Sequence, residues 1–251
     1  EGQYQLIFRV KAMNIKRKQA TFGLVVAKNN KEYSDVAKKE HALLRLLNER
    51  DPKCIVEPLK GGMVFLPDRH KRKEHDRELY AYCTTWLSGF HELGIQRNNN
   101  LYINIPTPVQ FDKKQTQALK RRMVEIVVRS YDPTRRNCMA IPQLASGDFV
   151  VSKAAKNVNP QLKVIACRDM ENRISPAQLI HRLIEAEWEW NKNIYFFTPD
   201  DPRELIQALT NALGKADAMD WLSQYRKSVK VKRLPENERF SLYEMDQLNI
   251  P

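Results

Sequence analysis

Between residues 36 and 47 the apolar side chains Val36, Leu43, Leu44 and Leu47 recur at helical spacing, and one carboxylate, Glu40, falls in the same stripe. A carboxylate on the packed face of a helix costs several kcal/mol, roughly, in desolvation unless a cation meets it. The run Gly23 to Lys28, strand-like and just ahead of this helix, ends in a lysine. Lys28 and Glu40 are therefore expected to pair inward, which fixes how strand and helix pack.

The surrounding pattern is strand-rich. Tyr4 to Val10 and Thr21 to Ala27 read as a hairpin joined by the basic link Asn14 to Gln19. Ser34 is the expected N-cap of a helix reaching Asn48. Cys54 to Leu59, Gly62 to Leu66 and Leu79 to Trp86 are three further strand candidates, and the loop Pro67 to Glu78 is too charged for a core. Gln96 to Pro108 reads as irregular, and a helix from Asp112 to Tyr131 follows, stopped by Asp132-Pro133. Phe149 to Ser152 and Leu162 to Cys167 are short strands around the turn-rich Asn157 to Pro160.

The remainder reads as helical. One helix starts at Ser175-Pro176 and runs to Asn191, carrying Trp188 and Trp190. Another starts at Asp201-Pro202 and closes at Gly214, and a third covers Asp217 to Lys227. The expected fold class is α+β in two lobes: a sheet-rich N-terminal lobe over residues 1–95, a mainly helical C-terminal lobe over 96–228, and an extension over 229–251.

Composition narrows the function classes. No apolar run approaches the roughly 18 residues of a membrane helix, and no basic-then-apolar leader argues for export. Cys54, Cys83, Cys138 and Cys167 lie far apart without a C-x-x-C pair, which fits reduced thiols in an intracellular, cytoplasmic protein. His70 and His75 stand in a charged stretch and read as solvated surface, not as a zinc site. The formal charge of +12 suits anionic partners. Its basic clusters are scattered: Lys16-Arg17-Lys18, Arg69 to Lys73, Lys120-Arg121-Arg122 and Lys227 to Arg233. P-loop, dinucleotide-binding, zinc-protease and serine-hydrolase motifs are absent from the sequence.

Val25-Val26-Ala27-Lys28 resembles the V-A-I-K strand of protein kinases, whose lysine holds the α- and β-phosphates and pairs with a helix glutamate. Ile55 to Leu59 looks like the fourth strand of such a lobe, and Tyr80 to Gly89, with Trp86, like the fifth strand and hinge. Phe90-His91-Glu92-Leu93 matches what commonly follows the hinge. Ile141-Pro142-Gln143-Leu144-Ala145-Ser146-Gly147-Asp148-Phe149-Val150-Val151 aligns without gaps with H-G-D-L-H-P-G-N-I-L-V, the catalytic loop of small-molecule kinases and their protein-kinase relatives. Leu162 to Arg168 resembles the strand leading into D-F-G.

The departures decide what the resemblance implies. The proton-accepting aspartate falls on Gln143, an amide that cannot serve as a base, and the metal-binding D-F-G aspartate falls on Ala166. No glycine lies between Gly2 and Gly23 to form a phosphate-covering loop. The resemblance thus implies a degenerate, pseudokinase-like domain with a vestigial nucleotide site at Lys28, Glu40, Trp86 and Gln143, no cofactor, and a role as scaffold or allosteric regulator of a protein partner. Two alternatives stand beside it. One is an atypical active phosphotransferase binding ATP and magnesium through Asp148 and Asp169. The other is a nucleic-acid-binding module or nucleoprotein subunit using the basic charge and interleaved aromatics, with affinity falling steeply as salt rises.

Overall fold

Alternating bulky and β-branched side chains make two strands of the first segment, β1 (Gln5–Met13) and β2 (Gln19–Ala27), paired antiparallel from Gln5 opposite Ala27 to Met13 opposite Gln19. The computed structural model describes residues 5–13, 17–28, 31–66, 77–152, 161–190, 193–235 and 240. Their architecture is mixed α and β with several sheets. They divide into two units, 1–89 with 164–169 and 90–163 with 170–251.

In the first unit, helix α1 (Lys31–Arg50) follows β2, and strands β3 (Pro58–Leu66) and β4 (Arg77–Thr85) complete an antiparallel sheet in the order β1-β2-β4-β3. Ala37, Leu44 and Leu47 of α1 are buried, as are Val25 of β2 and Tyr82 of β4, which stand opposite each other in the ladder. Two expectations are corrected here. Ser34 is not a cap: the helix starts three residues earlier, and the buried Ser34 hydroxyl accepts the Tyr80 backbone N–H at 3.1 Å. The expected strands Cys54 to Leu59 and Gly62 to Leu66 are one strand from Pro58 through the glycine pair, with a register shift between Pro58 and Gly61. Cys54 to Val56 is tied instead to the 164–169 segment, through Val56 N–H to Val164 O at 2.9 Å and Val164 N–H to Cys54 O at 2.8 Å. The charged loop, with His70, His75 and the Arg69 to Lys73 cluster, lies outside the described residues.

The second unit opens with β5 (Phe90–Ile95), β6 (Leu101–Ile103) and β7 (Val109–Gln110). The stretch expected to be irregular is thus largely ordered: Gln96 N–H bonds Asn100 O at 2.8 Å, and Asn99, at φ +64°, turns the chain from β5 into β6. Helix α2 (Lys113–Arg129) is capped by Asp112, whose side chain accepts Gln115 N–H while the Gln115 side chain accepts Asp112 N–H. Strands β8 (Asn137–Met139), β9 (Phe149–Ser152), β10 (Leu162–Val164) and β11 (Met170–Asn172) follow, and β8 pairs with β11. The turn Asn157 to Pro160 lies outside the described residues. β10 ends at Val164, short of the Cys167 expected.

Helix α3 (Pro176–Glu185) starts at the predicted Ser175-Pro176 cap but ends early. Glu187–Trp190 forms β12, paired with β13 (Asn193–Phe196), so Trp188 and Trp190 belong to a strand and not to the helix expected. The alternation Glu-Trp-Glu-Trp has period two, which wins over helix continuation. Helices α4 (Pro202–Leu213) and α5 (Lys215–Lys230) match the predicted pair, divided at Gly214 with φ +85°. Leu119, Met123, Ile126 and Val127 of α2 are buried, along with Phe149 of β9 and Leu205 and Leu209 of α4.

Candidate functional site

In the first unit Glu40 is 3% exposed, as its place in the apolar stripe requires. Its carboxylate accepts a short hydrogen bond from the Tyr82 hydroxyl of β4. Lys28, partly exposed just past the end of β2, forms no ion pair with any described residue. The predicted Lys28–Glu40 pair is therefore corrected. A hydroxyl donor on β4, the strand next to β2 in the sheet, and not Lys28, helps to offset the desolvation of Glu40. Burial, foremost, and then the charge of Glu40 hold the Tyr82 hydroxyl well above the usual tyrosine range, with Arg168 pulling the other way.

The next residue, His41, was not singled out by the sequence pattern, yet it is 5% exposed and bonded through both ring nitrogens. Its ring lies flat on Tyr82, centroids 4.9 Å apart and 11° from parallel. Nε2 is 2.9 Å from Leu59 O and Nδ1 is 2.8 Å from the Tyr80 hydroxyl. A carbonyl only accepts, so Nε2 carries a proton and donates to Leu59, while Nδ1 and the Tyr80 hydroxyl share the second bond. Gly61 is required by this arrangement. A Cβ there would stand 2.6 Å from His41 Nδ1 and 2.8 Å from the Tyr80 oxygen. The glycine that reads as a strand break is thus the point where β3 lets the histidine approach.

Trp86, half-buried after β4, has the Arg9 guanidinium over its ring at 5.4 Å from the centroid. Asp169 is ion-paired to Lys39 of α1 at 2.8 Å, both groups about half exposed. Its backbone oxygen accepts the Cys167 thiol. Ala166 contributes no donor atom beyond its backbone. Lys28, Glu40, Trp86, Ala166 and Asp169 all belong to the first unit.

Gln143 and Asp148 belong to the second. The loop between β8 and β9 consists of two single-turn 3-10 helices, Ile141–Gln143 and Ser146–Asp148. Gln143 ends the first and is exposed. Asp148 ends the second and is 2% exposed. Its carboxylate accepts Ala145 N–H at 2.7 Å while its own N–H bonds Ala145 O at 3.0 Å, closing the turn on itself. Asp148 serves as the loop's internal clasp.

Among the described residues no group of three or more His, Cys, Asp or Glu side chains could hold a metal ion, no disulfide joins the cysteines, and no helix is long and apolar enough to cross a membrane. No protein-family model matches the chain, and no curated protein matches it in sequence.

Proposed function

We propose that the chain is a kinase-like domain that has lost phosphoryl transfer and acts by binding, as a scaffold or allosteric regulator of a protein partner. The observation that carries this reading is the state of its acids. Magnesium-assisted transfer needs carboxylates turned toward the phosphates and a lysine–glutamate pair to hold them. Here Asp148 clasps its own loop, Asp169 pairs with Lys39, and Glu40 is bonded to Tyr82. Gln143 is an amide, and Ala166 carries no ligand. These donors do not fit a magnesium–nucleotide site.

Element order supports the kinase-like part of the reading. A lysine-ended strand precedes a helix with a buried glutamate; five strands follow, two in the first unit's sheet and three opening the second unit; then come a long helix, a loop between short strands, and a further strand.

The test is thermal denaturation with ATP, with and without magnesium, alongside an ATP-consumption assay. The expected outcome is no magnesium-dependent rise in Tm and no turnover. A large magnesium-dependent rise, or ATP consumption that disappears in Asp148→Ala or Asp169→Ala, overturns the proposal in favour of an atypical active phosphotransferase.

A further inference from the structure

Among the described residues every exposed large apolar side chain except Val231 lies on β1 or β3, the two outer strands of the first unit's sheet. The two edges differ in how they are guarded. β1 exposes Ile7 and Phe8 but follows them with the exposed cations Arg9 and Lys11, the kind of charge that keeps an edge from pairing with other chains. β3 has no such guard from Gly61 to Leu66: six residues with neither charge nor proline. Within that run Met63, Val64 and Phe65 are consecutive and all exposed, Met63 at 55% and Phe65 at 59%. From Gly61 onward this strand pairs with β4 without a register shift, and β4 is its only strand partner among the described residues.

Consecutive exposed residues on a strand point to opposite faces of the sheet. Met63 and Phe65 stand beside Tyr80 and Glu78 on one face, and Val64 stands beside Leu79 on the other. A helix laid on the sheet covers one of those faces and leaves the other wet. A strand added at the edge covers both, and it alone uses the outward backbone N–H and C=O groups. The geometry points to β3 as a strand-addition site for an extended apolar segment.

Charge selects the source of that segment. Neither edge strand carries a carboxylate and β3 itself carries Lys60; Glu78 of β4 stands beside Phe65, but the whole chain stands at +12. Copies of the chain repel one another, and a segment with acidic side chains flanking its apolar ones is attracted. We therefore propose that β3 binds an extended, acidic and apolar segment of another protein. The inference uses only the sheet of the first unit and does not depend on the kinase-like reading. A peptide-binding result and a nucleotide-binding result can fail separately.

The experiment uses the full chain and a fluorescent synthetic peptide alternating valine with glutamate, followed by anisotropy. Saturable binding is expected, weakened roughly tenfold or more when alternate peptide nitrogens are methylated, because the added ladder then loses its donors. The same weakening is expected with lysine in place of glutamate, and in the double variant Met63→Lys, Phe65→Lys, whose altered side chains are exposed and whose circular dichroism should match the parent. Absence of saturable binding, or equal binding of the methylated or lysine-containing peptide, overturns the proposal. So does a dimer of the unmodified chain in sedimentation that dissociates in the double variant, which would make a second copy the occupant.

Discussion

Glu40 in the first unit and Asp148 in the second are buried to nearly the same extent, yet one accepts a hydrogen bond from 42 residues away and the other from three. Glu40 depends on Tyr82, so its environment exists only once helix and sheet have docked. Asp148 clasps Ala145 within a single turn, so its bond can form as the loop itself forms. A long-range bond reports on tertiary packing, whereas a local one reports on turn geometry, and the two should answer differently to substitution.

The largest effect is expected at the long-range bond. Tyr82→Phe removes the hydroxyl from a buried carboxylate and should cost about 2–3 kcal/mol in urea unfolding. A cost below that of the local variant would break the comparison. Alkaline pH sharpens it. Since folding raises the Tyr82 pKa, the protonated phenol favours the folded state, and this contribution is whole below the ordinary value near about 10 and lost as pH rises beyond it. The parent's stability should fall in that alkaline range by more than that of Tyr82→Phe.

Asp148→Ala should cost less, about 1.5 kcal/mol, because the Ala145 N–H that loses its acceptor lies in a turn that keeps its backbone pairing. Smallest is Asp201→Ala at the start of α4, about 1 kcal/mol for a lost N-cap. The Arg203 side chain, bonded to Asp201, holds its carboxyl below the usual range. Its contribution is therefore present above the ordinary value near about 4 and lost as pH falls through the lowered one, so parent and variant should converge in acid.

These three acids also mark what the sequence could disclose. The Asp201-Pro202 cap and Gly214 stop are local chemistry and read directly. The stripe through Glu40 announced burial but not the Tyr82 donor, which lies on β4, 42 residues further along the chain. His41 was missed and Ser34 was given a cap's role because polar residues interrupt an apolar pattern, and their acceptors and donors, Tyr80 and Leu59, lie far along the chain. Gly61, in the gap between the two strands expected, serves a tertiary contact through its lack of a side chain. Of the candidate site, the loop around Gln143 and Asp148 was legible as a loop between short strands. The engagement of each carboxylate was not, because it depends on side-chain geometry that no spacing encodes.

The hairpin of β1 and β2 has one further consequence. β1 and β2 stay paired over all nine positions, whereas β4 supports β2 only from Phe22 to Val26. The remaining end, Lys11–Met13 against Gln19–Thr21, behaves as a beam clamped at one side. Its backbone amides should trade hydrogen for deuterium sooner than those nearer the clamp, giving one pair of strands two rates.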